Sequence, residues 1–158
     1  MEMNYLAILV AALSSFLVGF IWYNPKVFGT IWMNEIGMTE EKAKQGNMAK
    51  IFGLTFVFAL IFAFMIPTIT IHQIGAMQLA GGNANDEALI AFLQVHGEKF
   101  RSFHHGALHG FIAGLFLALP IVATNALFEQ KSWKYILVTA GYWVVVMTVM
   151  GAIICGWK

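Results

Sequence analysis

The chain has 158 residues, 59% of them hydrophobic and only 11% charged, with a formal net charge of +1. A soluble domain has about 45–50% apolar and about 25% charged residues, so this composition excludes an ordinary soluble fold and points to a membrane protein. The small net charge and the lack of a basic run exclude a nucleic-acid partner, and a single cysteine, Cys155, excludes a disulfide within the chain.

A membrane-spanning helix needs about 20 mostly apolar residues. Four segments qualify, at about 4–23, 49–74, 104–127 and 133–157. The first holds no charge and stops at Asn24–Pro25, because proline disfavours helix in the residue before it. Trp22 and Tyr23 stand where an interfacial aromatic belt belongs. Met1–Tyr5 lacks Lys and Arg, and no small-residue cleavage pattern closes the segment, so it reads as a retained helix rather than a signal peptide.

The following loop repeats Phe28, Ile31, Trp32 and Ile36 at helical spacing, as in a helix lying on the membrane surface. Thr39 before Glu40–Glu41 reads as an N-cap with acids in the first turn. The second segment is rich in phenylalanine, and Pro67 is expected to kink it.

Residues of about 75–103 form a polar insert. It opens on the turn-rich run Gly81–Asp86, and Asp86 is placed to cap a short helix from Glu87 to about Phe100. The third segment is interrupted by Pro120. The four-residue link Glu129–Ser132 makes segments three and four antiparallel neighbours.

Loops one and three with their adjoining helix ends hold six cations (Lys26, Lys42, Lys44, Lys50, Lys131, Lys134), and the opposite side holds three (Lys99, Arg101, Lys158). The positive-inside bias therefore predicts both termini and the insert outside the cytoplasm.

Several strings resemble a known family: Asn4-x-Leu6-Ala7-Ile8-Leu9-Val10-Ala11-Ala12, Trp22-Tyr23-Asn24-Pro25-x-x-Phe28-Gly29-x-x-Trp32, Ala123-Thr124-Asn125-Ala126-Leu127-Phe128-Glu129 and Met150-Gly151-Ala152-Ile153. Together they are similar to the domain of unknown function 1761 family, small integral membrane proteins found largely in bacteria. The resemblance implies a helical protein of a bacterial inner membrane and carries over no catalytic residue.

Three constellations stand out. Gly106, Gly110 and Gly114 share one helix face, as do Ala7, Ala11, Ser15 and Gly19 on the first segment. Such small-residue stripes let helix backbones approach closely, either within one chain or between copies. His105 and His109 lie four apart on one face, with His72 leaving segment two at a similar depth. This set is a candidate for binding or pH sensing, and His105 with His109 is a weak metal candidate; interfacial hydrogen bonding is the plainer alternative. At the opposite end, Tyr23, Asn24 and Asn125 form a candidate polar cluster, in which each asparagine is expected to tie loose carbonyls at a helix end.

No Asp, Glu, Lys or Arg lies inside a span, Lys50 and Lys134 standing at span ends. No nucleophile elbow, Cys–His pair or phosphate-cradling loop is present. The sequence thus predicts an all-α membrane protein, a four-transmembrane-helix bundle with a partly helical polar insert. It reads as a non-enzymatic protein without a cofactor, set in membrane lipid and acting by helix association as a homo-oligomer or an accessory subunit among other membrane subunits. A small channel or carrier with a histidine-lined mouth is the alternative, and a metal-dependent membrane enzyme comes third.

Overall fold

The computed structural model describes residues 3–158, with the backbone alone at Glu40. Met1 and Glu2, on which part of the signal-peptide reading rests, lie outside the described residues, as does the Glu40 side chain. The described residues form helices and no strand.

Four helices are long and apolar enough to cross a membrane: α1 (Tyr5–Trp22), α4 (Met48–Thr70), α7 (Phe103–Phe128) and α8 (Trp133–Gly156). Short helices connect them: α2 (Thr30–Ile36) and α3 (Glu40–Lys44) in the first loop, α5 (His72–Leu79) and α6 (Glu87–His96) in the insert. Side chains cap their N-termini where the sequence offers them. Asn4 accepts from the Ala7 N–H, Thr39 from Lys42, Asn47 from Lys50, Asp86 from Leu89 and Ser132 from Lys134 and Tyr135. Each satisfies an N–H that has no partner within its helix.

The prolines act differently from one another. Pro67 is buried inside α4, and the helix runs on past it to Thr70. The break comes at Ile71, whose extended backbone (φ −117°, ψ 102°) ends α4 and starts α5. The second span is therefore shorter than the 49–74 read from hydropathy. Pro120 is preceded by a wide π-helical turn, Gly114–Ala118, whose longer spacing accommodates a residue that cannot donate. A second π-helical turn, Pro25–Gly29, leads straight into α2 and is closed by the Gly29 N–H on the Asn24 carbonyl at 2.9 Å.

The last helix is the centre of the bundle, packing against α1, α2, α4 and α7. Its small and thin residues face the other spans, and Ala140, Val146, Met150 and Cys155 are fully buried. Most bulky side chains of α1 and α4, such as Phe20, Phe58 and Ile61, are exposed instead. A soluble protein would bury them. Here they stay on the outside of the bundle, as suits helices apolar enough to cross a membrane, and close packing of small residues holds the helices together.

Both glycine and alanine stripes are used inside the chain. A Cβ added at Gly106 would stand 2.0 Å from the Gly151 carbonyl oxygen, one at Gly110 would stand 2.1 Å from that of Met147, and one at Gly114 would stand 2.6 Å from the Val144 Cα. These three glycines seat α7 on the backbone of α8. On α1, Ala11 and Ser15 are buried, the Tyr142 hydroxyl donates to the Ser15 carbonyl at 3.2 Å, and Gly19 leaves room for the Tyr142 ring. Trp22 completes this seam by donating its ring N–H to the Val138 carbonyl at 3.0 Å, passing over Gly141.

The start of α1, the C-terminus and the insert share one end of the bundle, where the Asn4 amide donates to the Lys158 carbonyl at 3.4 Å. Lys158 pairs with Glu98, the Arg101 guanidinium donates to the Cys155 carbonyl at 3.0 Å, and Gln73 donates to the carbonyls of His96 (2.7 Å) and Lys99 (2.9 Å). The opposite end carries α2, α3 and the α7–α8 turn, with Ser132 donating to Glu35.

Candidate functional site

Three histidines meet at the end that carries the termini. His72 is the first residue of α5, placed there by the break at Ile71. His105 and His109 lie in the first two turns of α7, one helical turn apart on one face. Ser102 caps that helix by accepting from the His105 N–H, which fixes where the first turn begins. The outcome is a cluster in which one ring nitrogen from each histidine lies within 4.8 Å of the other two. His72 Nε2 and His105 Nε2 are 3.0 Å apart, so one carries the hydrogen and the other accepts it. The ring centroids are 5.0 Å (His72–His105), 5.0 Å (His72–His109) and 4.4 Å (His105–His109) apart. His72 is exposed and the other two are half-buried.

These distances match what a tetrahedral ion requires. With metal–nitrogen bonds of about 2.0–2.1 Å, ligand nitrogens lie about 3.3–3.4 Å apart and the imidazole centroids about 5 Å apart. Two of the three ring separations stand at that spacing and His105–His109 is shorter at 4.4 Å, so the rings would have to turn and part slightly to bring their nitrogens onto one ion. The remaining histidines stay outside the cluster. His104 is exposed on α7, and His96 packs against Phe92 at the end of α6. Among the described residues this is the one group of three or more His, Cys, Asp or Glu side chains with converging ligand atoms. Glu98, the acid nearest in sequence, is taken by Lys158.

The surroundings were not foreseen from sequence. Phe100 stacks on His105 (5.0 Å between centroids, 22° between planes) and stands edge-on to His72 at 5.9 Å. Its backbone is left-handed, with φ 65°. The one-dimensional pattern placed Phe100 at the end of the α6 helix, whereas α6 stops at His96.

The other predicted cluster is aromatic rather than polar. Tyr23 lies 5.2 Å, centre to centre, from both Trp32 and Tyr142, and Trp22 lies 4.5 Å from Phe28. Asn24 is half-buried and accepts from the Lys26 N–H, so it caps the next helix instead of tying carbonyls of α1. Asn125 is exposed inside the last part of α7, and its carbonyl accepts from Glu129. Asn24 caps because Pro25 follows it: proline at the first helical position turns the chain into a new helix.

The family model for a protein of unknown function (DUF1761) matches residues 6–155, nearly the whole chain. The chain belongs to the DUF1761 family. The match takes in all three histidines, the glycine stripe of α7 and the insert. No curated protein and no solved structure shows significant similarity to this DUF1761 chain.

Proposed function

We propose that this DUF1761 protein is a metal-binding integral membrane protein, and that His72, His105 and His109 hold one divalent transition-metal ion of the Zn²⁺ kind at the end of the bundle. The observation that carries the reading is the convergence of three ring nitrogens from two separate elements, within 4.8 Å of one another and with two of the three ring separations at metal-site spacing. Imidazole suits zinc, copper and nickel rather than calcium or magnesium, which take oxygen ligands. Three protein ligands leave a fourth position for water or an exchangeable donor.

The lysine bias supports placing this end outside the cytoplasm of a bacterial inner membrane. The histidines would then take up metal from that side. Association into a homo-oligomer, or with other membrane subunits, finds no support in the glycine stripe, since α8 fills it within the same chain. Any such contact would use the lipid-facing side chains of α1 and α4.

The test is metal content and titration of the purified protein in mild detergent, using Zn²⁺ and Co²⁺. The expected result is one equivalent bound, with His72→Ala and His109→Ala each weakening binding by more than the roughly 10–100-fold typical of losing an outer-shell partner. His104→Ala should bind as the unmodified protein does. Binding that is absent, or indifferent to His72 and His109, removes the reading.

A further inference from the structure

Phe100 is the anomaly beside the histidine cluster. A bulky residue with φ 65° is rare, because the side chain crowds its own backbone, and glycine would occupy this conformation freely. Such strain persists only where the surroundings impose it, and here they do. The Phe100 carbonyl accepts from the Ser102 N–H at 3.0 Å and from the buried Cys155 thiol at 3.4 Å. On one side of it, Gln73 (next to His72) holds the Lys99 carbonyl; on the other, Arg101 is fastened to the Cys155 carbonyl. The turn is thus tied both to the element that presents His72 and to the last span. The ring this turn delivers is 56% exposed on its outer side. Beneath it lies His105, stacked nearly parallel, with His72 at its edge. Lys99 Nζ stands 5.6 Å from the same ring.

We propose that Phe100 is a positioning residue of the three-histidine site: its ring orients His105 and His72 toward a shared ion and covers that ion against exchange. The inference rests on the metal-binding reading above. Stacking restricts the rotation of the His105 ring, so the imidazole presents its Nε2 without first losing rotational freedom on binding. The covered ring face also slows the approach of a competing chelator.

The test compares the full-length protein with Phe100→Gly and Phe100→Tyr in detergent micelles. Co²⁺ serves as the spectroscopic probe, and Zn²⁺ release into excess chelator gives the rate. Phe100→Gly removes the ring and relieves the backbone, so metal-free thermal stability should stay level or rise. Zn²⁺ release should accelerate at least tenfold and the Co²⁺ ligand-field band should shift or weaken. Phe100→Tyr should restore both. Equal release rates and spectra for the native protein and Phe100→Gly overturn the proposal while leaving the metal site standing. Faster release that only follows a fall in metal-free stability, with no rescue by tyrosine, overturns it too. A native protein that takes up no Co²⁺ defeats the metal reading itself, and this proposal with it.

Discussion

Adding one methyl group at Gly106 is the sharpest test of how the bundle is held. The new Cβ would stand 2.0 Å from the Gly151 carbonyl oxygen and 2.5 Å from the Cys155 Cβ, and real Cβ atoms essentially never approach closer than 3.0 Å. Both obstacles are backbone or next to it, so no side chain can swing aside. The reverse contact is as tight, since a Cβ at Gly151 would stand 2.3 Å from the Gly106 carbonyl oxygen. Helices α7 and α8 would have to part by about 1 Å, and a gap of 0.5–1 Å already forfeits about a quarter to a half of each contact's attraction. Overpacking a core costs about 1–3 kcal/mol where side chains can adjust. Here they cannot, so Gly106→Ala should cost about 3 kcal/mol or more. Gly53→Ala is the control, because nothing lies within 4 Å of that position and alanine favours helix by about 0.5–1 kcal/mol. The measurement is reversible unfolding in mixed SDS–maltoside micelles, followed by circular dichroism. Equal stabilities for the two variants would refute the packing argument. A Gly106→Ala protein that stays fully folded but falls from oligomer to monomer would show that the stripe joins chains instead.

Three further outcomes follow from single contacts. Gln73→Leu leaves the His96 and Lys99 carbonyls without their donor and should cost about 1–3 kcal/mol; the check is faster proteolytic nicking between residues 80 and 100, and an unchanged nicking rate would count against the role given to Gln73. Gln130 sits at φ 55° where the chain turns from α7 into α8, with the Lys131 N–H on the Ala126 carbonyl at 2.8 Å, so Gln130→Gly removes a left-handed cost of about 1–2 kcal/mol against a glycine entropy cost of about 0.5–1 kcal/mol and should stabilise by about 0.5–1 kcal/mol in the same micelle unfolding. The Lys158 ammonium bonds to and attracts the Glu98 carboxylate, holding its pKa below the ordinary value of 4.5. A lowered folded-state pKa means that this contact is present above the ordinary value and lost as pH falls through the lower one. Amide-exchange protection at residues 156–158, taken relative to the intrinsic rate at each pH, should therefore fall in the native protein as pH drops below the ordinary carboxylate range, and Glu98→Gln should show the lower protection already at neutral pH.

The spans were legible because hydropathy over about 20 residues averages out local detail; Tyr5–Trp22 and Trp133–Gly156 fall within a residue of their expected limits. The shared end of termini and insert was legible too, since four spans return the chain to the side it started from. Other features were hidden for specific reasons. Small-residue spacing says that a face packs closely but not against what. Only the fold shows Gly106 lying over Gly151, two glycines 45 positions apart. The break at Ile71 has no breaker residue, and Pro67, read as a kink, is carried inside the helix. Missing that break also hid how His72 is presented, since it opens a new helix rather than continuing α4. The pair His105 and His109 could be read from a spacing of four, and His72 from the depth at which segment two ends; what the sequence did not show is the extended residue between two helices that turns His72 toward them. Phe100 was least visible of all, because a left-handed phenylalanine runs against local preference and is held there by Gln73, Arg101–Ser102 and Cys155 acting from three places in the chain. The sequence pattern missed the backbone at both Ile71 and Phe100, while hydropathy held along the spans. Departures from local preference are expected where a fold has work to do beyond standing up, and of the two left-handed non-glycine residues among the described ones, Phe100 stands beside three imidazoles.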